Sequence, residues 1–257
     1  MKTNQAFTIL CQASDSHTAR IITENQKKFN LFSVLIMAKK LKQGMPVAKI
    51  IHKKWFYGLP FYTNTHTLDP RPDTETLIES VINDYKNTTE SKSILDLGTG
   101  TGCIICSIIK NIPLFSGVAM DKSYQALRVA NKNIKSLELH NKVKIKHGNF
   151  CKPIHIKQKF DVIVSNPPYI KYGDSNVDIG AMHDPKIALY AKNDGYFAYE
   201  RIAKHAKNLI KPNGKIYLEI GINMGDSIRK IFSESGWTFE RTERDLSGIE
   251  RVLVFKD

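Results

Sequence analysis

Phe160-Asp161-Val162-Ile163-Val164-Ser165-Asn166-Pro167-Pro168-Tyr169 is an apolar run that stops abruptly on two prolines. Its first six residues, rich in β-branched types, read as a buried strand. Neither proline has an N–H, so the sheet ladder must end here, leaving nearby carbonyls free to accept hydrogen bonds. The Asn166 side chain adds one acceptor and two donors, and Tyr169 supplies a flat face for stacking. Together the four residues can hold a planar –NH2 group by both hydrogens. The bland alternative is a Pro-Pro turn that merely ends a strand.

Strands and helices alternate on both sides of this run. Upstream, residues 94–97 read as a strand, 103–110 as a helix and 117–120 as a strand ending at Asp121. A helix over 123–137 and a strand over 143–146 follow. Downstream, a loop-rich segment over 170–191 leads to a helix over 196–209, a strand over 215–220 and a helix over 226–235. Residues 237–240 and 251–255 close the chain as an antiparallel hairpin pair. The alternation implies an α/β fold, a parallel sheet covered on both faces with right-handed crossovers. Ligands of such sheets bind beyond the carboxyl ends of the strands, at the switch point.

The segment before the sheet is of another kind. Residues up to Ser14 carry no clear signal, and 14–42 suit one or two amphipathic helices stopped at Gly44 and Pro46. Val47 to Ile51, a basic patch (His52, Lys53, Lys54) and an aromatic segment, residues 55–62, come next. Two β-rich runs broken at Gly58-Leu59-Pro60 suggest a hairpin, whose aromatics are expected in a core between two lobes rather than stacked on bases. Pro70-Arg71-Pro72-Asp73-Thr74-Glu75 then sets up a helix to about Tyr85, with Asp73 as its N-cap.

The 257 residues, 42% hydrophobic and 25% charged, suffice for one α/β domain plus a smaller appendage. No apolar run is long enough to span a bilayer, and the first eleven residues make a poor signal peptide. The net charge of +13 fits an acidic partner, but Lys is spread along the chain beside Asn and Ile, so it argues only weakly for nucleic acid. Cys11, Cys103, Cys106 and Cys151 form no disulfide framework, which points to the cytoplasm. Cys103 and Cys106 fall inside an apolar helix, where a small buried residue is the ordinary reading, and the eight His residues show no ligand spacing. No metal site is expected.

The chemistry gathers at four strand ends. Asp96-Leu97-Gly98-Thr99-Gly100-Thr101-Gly102 joins a strand to a helix, so backbone N–H groups and a helix N-terminus can meet a pyrophosphate or the carboxylate of an amino acid. Its glycine spacing differs from G-x-G-x-x-G, against a nicotinamide or flavin enzyme. Asp121 is placed to hold ribose hydroxyls, with a helix N-cap as its plain alternative. Asn149 and Phe150 follow the third strand, where an amide and a ring can read and cover an adenine. Asn166 follows the fourth. Amino-acid, ribose, adenine and –NH2 recognition in that order fits S-adenosylmethionine and a nitrogen acceptor.

Pro70-Arg71-Pro72-x-Thr74-Glu75, the glycine loop, Asp121, Asn-Pro-Pro-Tyr, Asp184-Pro185-Lys186-x-Ala188-Leu189, Asp194-Gly195, Glu219-Ile220-Gly221 and residues 245–251 together make a pattern. From about Leu35 onward it resembles the HemK-type protein-(glutamine-N5) methyltransferases, which modify peptide chain release factors. The resemblance implies a class I S-adenosylmethionine-dependent methyltransferase, Rossmann-like, with a small helical N-terminal domain. It places release-factor docking in residues 1–66 and catalysis in 67–257. It also implies methyl transfer to the amide of the glutamine in a Gly-Gly-Gln loop, with S-adenosylhomocysteine as product. Asn166, Pro167, Pro168 and Tyr169 would be catalytic. Gly98, Thr99, Gly100, Thr101, Gly102, Asp121, Asn149, Phe150 and Asn166 would bind the cofactor. A monomer without stable nucleic-acid or membrane partners is expected.

Four positions depart from that pattern. Asn149 stands where the family usually has an acid, implying a weaker adenine contact. Met224 replaces a frequent Gln, Tyr190-Ala191 replace a glycine-rich turn, and Asp69 stands where an apolar residue is common. Two other readings compete. An adenine amino-methyltransferase acting on nucleic acid would need a base-flipping pocket and usually a recognition domain, and no inserted domain is visible. A non-catalytic RNA- or ribosome-binding relic would have no need of the Asn-Pro-Pro-Tyr acceptors.

Overall fold

The computed structural model describes residues 1–26, 28–174 and 179–257. Residues 175–178 of the expected loop-rich segment, and Lys27 in the expected helical region, lie outside the described residues.

Four helices open the chain: α1 (Thr3–Ala13), α2 (Ser16–Asn25), α3 (Leu31–Lys42) and α4 (Val47–Ile51). Asp15 caps α2 by accepting the Thr18 N–H at 2.8 Å, and Asn30 caps α3 by accepting that of Ser33 at 2.7 Å. The region expected to hold one or two helices thus holds two, ending before Gly44 and Pro46. Helix α1 gave no signal in the sequence because only Ala6 and Leu10, one helical turn apart, reach its core. They pack with Ala19, Ile22, Val34 and Ile50 in a core of their own.

A hairpin follows, β1 (Lys54–Phe56) against β2 (Leu59–Phe61). Its break is Tyr57-Gly58, with φ of 48° and 71°, not Gly58-Leu59-Pro60. A two-residue hairpin turn needs positive φ at both centres, and Pro60, paired with Trp55, lies on an edge where its missing N–H costs nothing. Phe56 and Phe61 are buried against Leu77, Ile78 and Val81, so these aromatics are core. Trp55 is the exception, 62% exposed beneath the Lys53 ammonium.

A 3-10 turn (Pro72–Thr74) leads into α5 (Glu75–Tyr85). Asp73 does not cap this helix as the sequence suggested. Its carboxylate is taken by the Arg251 guanidinium at 2.9 Å, and the turn extends the helical backbone through it. The remaining elements are β3 (Lys92–Leu97), α6 (Cys103–Asn111), β4 (Phe115–Asp121), α7 (Tyr124–Ser136), β5 (Val143–His147), β6 (Phe160–Ser165), β7 (Ile170–Lys171), α8 (Lys186–Leu189), β8 (Tyr190–Ala191), α9 (Phe197–Ala206), β9 (Ile210–Glu219), α10 (Gly225–Glu234), β10 (Thr238–Arg244) and β11 (Glu250–Lys256).

Seven strands form one sheet in the order β10-β11-β9-β6-β3-β4-β5. Strands β5, β4, β3, β6 and β9 are parallel, and β11 and β10 are antiparallel, as the closing hairpin requires. Alternation along the strands divides the core. Ile94, Ala119, Val162, Val164 and Tyr217 face α5, α6 and α7. Leu95, Leu97, Ile163, Ile216 and Leu218 face α9 and α10. The chain runs from β3 outward to β5 and then returns to β6 on the other side of β3. That reversal puts the switch point between the carboxyl ends of β3 and β6. The Ser165 hydroxyl ties the two ends together by donating to the Leu97 carbonyl at 2.7 Å.

Candidate active site

One cleft opens at this switch point. Gly98, Thr99, Gly100, Thr101, Asp121, Phe150, Asn166 and Pro168 line it together, joined by Arg71, Thr74, Tyr172, Ile187, Tyr190 and Phe197. Gly102, Asn149, Pro167 and Tyr169, the other four expected site residues, are not part of the lining.

The β3 side is built from backbone. Gly98, Gly100 and Gly102 have φ of 79°, 54° and 79°, a region that favours glycine. A Cβ on Gly98 would also stand 3.3 Å from the Phe150 ring, which covers the loop. Below it the Thr99 hydroxyl donates to Asp96 at 2.6 Å. Burial, chiefly, pushes the Asp96 carboxyl up to about 7. At the tip of β4 the two Asp121 oxygens accept the Gly100 N–H at 3.0 Å and the Ser123 N–H at 2.8 Å. Ser123, not Asp121, caps α7. Asp121 thereby fixes the loop, with its remaining lone pairs available to hydroxyl donors. Asn149 turns away: its side-chain oxygen accepts the Cys151 N–H at 2.9 Å and shapes the turn that delivers Phe150.

The β6 side is built from side chains. Asn166 donates its amide N–H to the Thr74 hydroxyl at 3.2 Å. Glu219, at the end of the neighbouring strand β9, lies close enough to Thr74 and Asn166 for both to favour its ionised form. Burial outweighs their influence and pushes the Glu219 carboxyl up to about 7. Tyr169 stands behind this wall, its ring over Gly221, and burial raises its phenol. Gly195 is required beneath it, with φ 96° and no room for a Cβ against the Tyr169 carbonyl oxygen. The ring at the cleft mouth is Tyr172 instead, stacked on Tyr190 with centroids 5.3 Å apart. Thr74, Glu219 and Tyr172 were not foreseen as site residues. Thr74 and Glu219 lie 92 and 53 positions from Asn166, and only the threonine of Pro-Arg-Pro-x-Thr and the Glu-Ile-Gly motif marked them.

Three of the departures noted above have partners here. Asp69 accepts a hydrogen bond from the fully buried Lys49 ammonium at 3.1 Å, and Asp184 pairs with the same charge at 2.7 Å. Arg71 meets the second Asp184 oxygen at 2.8 Å. Helix α4 is thus pinned to the segment that supplies Pro185 and Ile187 to the cleft. Tyr190 forms half of the stacked pair at the mouth, and Met224 fills the space beside Gly221 and Gly195. No grouping of His, Cys, Asp and Glu fit for a metal occurs among the described residues, and no helix among them is long and apolar enough to cross a membrane.

The family model described as the methyltransferase small domain matches residues 69–183. A release factor glutamine methyltransferase of Aliivibrio fischeri is 33% identical, the match covering 97% of this chain and 88% of that protein. A bifunctional methyltransferase of Rickettsia prowazekii is 40% identical over 81% of this chain and 44% of its own length. The chain spans 44–50% of the length of the first five curated relatives it matches. Among solved structures, a methyltransferase from Pyrococcus furiosus aligns with a TM-score of 0.56 at 18% identity, covering 89% of this chain and 98% of that one. It shares the fold.

Proposed function

This chain belongs to the release factor glutamine methyltransferase family, and from that premise we propose that it transfers a methyl group from S-adenosylmethionine to the side-chain amide nitrogen of the glutamine in the Gly-Gly-Gln loop of a peptide chain release factor. The observation that carries the reading is Asn166. Its amide nitrogen donates inward to Thr74, on the side where Glu219 lies, and its carbonyl oxygen would be the acceptor on the cleft side.

The cleft fits the cofactor. Left-handed glycines bring the main chain of residues 98–101 to the cleft wall, Asp121 has lone pairs for hydroxyl donors, and Phe150 gives an apolar face. When bound there, S-adenosylmethionine supplies a methyl group on a sulfonium. Gly98, Thr99, Gly100, Thr101 and Gly102 would hold its amino-acid end, Asp121 its ribose and Phe150 its adenine. Asn149 would act through the turn it closes rather than by its own contact.

An amide nitrogen is a poor nucleophile, because its lone pair is delocalised into the carbonyl. The Asn166 oxygen and the Pro167 carbonyl would each accept one N–H of the glutamine, fixing the amide plane and presenting the nitrogen for in-line attack. The same two acceptors stabilise the positive charge that develops on nitrogen as its bond to carbon forms. That nitrogen is then acidic and releases its proton to water. Pro168 would wall the slot and Tyr169 hold the turn rigid from behind. Tyr172 takes the position beside the glutamine side chain. The helical N-terminal lobe would dock the release factor, with residues 1–66 acting as one unit and 67–257 as the catalytic domain. The protein would work as a cytoplasmic monomer with no stable nucleic-acid partner.

Peptide mapping by mass spectrometry tests this directly. After incubation with S-adenosylmethionine, the release-factor peptide carrying Gly-Gly-Gln should gain the mass of one methyl on its glutamine. An unmodified peptide would overturn the assignment.

A further inference from the structure

Beside Asn166 and Thr74 lies a carboxyl to which the proposed reaction gives no part, that of Glu219. Only 2% of Glu219 is exposed, and one of its carboxyl oxygens, Oε2, is buried without a hydrogen-bond partner. Thr74, Asn166, Tyr169, Arg251 and Asp73 are close enough to act on it. Cys103 of α6 and Tyr199 of α9 complete the surroundings, and the Tyr199 hydroxyl donates to the Glu219 main-chain carbonyl at 2.8 Å.

Resting on the glutamine reading, we propose that Glu219 is the positioning residue that sets which end of the Asn166 amide faces the substrate. An ionised carboxylate only accepts hydrogen bonds. It can take an N–H of Asn166 and the hydroxyl proton of Thr74, whose oxygen in turn accepts the other Asn166 N–H. With both N–H groups satisfied inward, the amide oxygen must face the cleft. A flipped Asn166 would set its oxygen against the carboxylate and aim donors at a substrate –NH2 that also donates. The protonated acid removes this discrimination, because its O–H can donate to the Asn166 oxygen and favour the flipped amide.

The midpoint of this exchange lies near neutrality, since burial pushes the Glu219 carboxyl up to about 7. Cys103, at about 12, and the raised phenols of Tyr169 and Tyr199 do not titrate in that range. Asp96 does, at about 7, but it bonds to Thr99 on β3 rather than to Asn166. Comparison of wild type with Glu219→Gln therefore separates the two carboxyls.

The test uses 15N-labelled protein, with the Asn166 side-chain resonances assigned by their loss in Asn166→Ala. In wild type both amide protons should shift with pH, with a midpoint near 7. In Glu219→Gln that transition should be absent. Turnover of release factor by Glu219→Gln should fall about 10- to 100-fold, while the Kd for S-adenosylmethionine changes less than about 3-fold. Amide protons that do not titrate, or that titrate equally in the variant, would overturn the proposal, as would unchanged turnover. A wild-type enzyme that methylates no release factor would overturn the glutamine reading alone, and the amide titration would still decide the role of Glu219.

Discussion

The two sides of the cleft are made by opposite means. At β3, the proposed cofactor side is main chain: three left-handed glycines, a helix start and one aspartate that locks the loop by its N–H groups. At β6, the proposed acceptor side is one amide held by a hydroxyl from another element, with a buried carboxyl close by. A backbone site tolerates changes of side chain but no added Cβ, whereas a side-chain site can be undone by removing a single oxygen. The contrast also separates binding from chemistry, since the main-chain side would hold the cofactor and the side-chain side would orient the reacting nitrogen.

The sharpest way to break this comparison is Asn166→Ala. Turnover should fall about 100- to 1000-fold, the loss expected for a preorganised hydrogen-bond partner of the transition state. Binding of S-adenosylmethionine, measured by calorimetry, should stay within about 3-fold. Equal loss of both would mean that the two sides are not separate.

Lys49→Met asks how far the acceptor side depends on the N-terminal lobe. The substitution leaves Asp69 and Asp184 buried around an apolar chain, and urea unfolding should show a loss of about 3–5 kcal/mol. A change below about 1 kcal/mol would show that α4 does not anchor the segment ending in the cleft.

Glu219→Gln should move stability the other way. Because the folded carboxyl titrates near 7 rather than at its ordinary 4.5, both states hold the proton below about 4.5 and the variant gains nothing there. As pH rises to about 7 the unfolded chain ionises first, so wild type loses stability progressively, then stays level. At pH 8 the variant should be more stable by up to about 3 kcal/mol. Identical denaturation curves at pH 5 and pH 8 would remove the argument that a costly carboxyl is kept for orientation.

Gly98→Ala should have the smallest effect on folding, about 1–2 kcal/mol for a left-handed residue with a Cβ. Its effect should fall on cofactor affinity, weakened about 10-fold as the Phe150 ring is displaced, with turnover at saturating cofactor near wild type. A lower turnover with unchanged affinity would contradict the division of labour.

The same contrast explains what could be read from the sequence. Glycines, prolines and period-two strands act locally, so the parallel sheet, its closing hairpin, the glycine loop and the Asn-Pro-Pro-Tyr turn were legible at their own positions. Thr74 and Glu219 act at a distance, and nothing within a few residues of Asn166 announces them; Tyr172 stands only six positions on, but its place depends on the stack with Tyr190. The same is true of Asp73, whose reach across the chain to Arg251 replaced the expected cap. Asp69, noted only as a departure, acquires its meaning from Lys49, twenty positions away and fully buried.

The measurement that tests the account most directly is transfer of labelled methyl from S-adenosylmethionine to three acceptors offered separately: a release factor, its Gly-Gly-Gln to Gly-Gly-Ala variant, and duplex DNA. Label on the wild-type factor alone, abolished by Asn166→Ala, is the expected result. Label on DNA, or equal label on both forms of the factor, would contradict it.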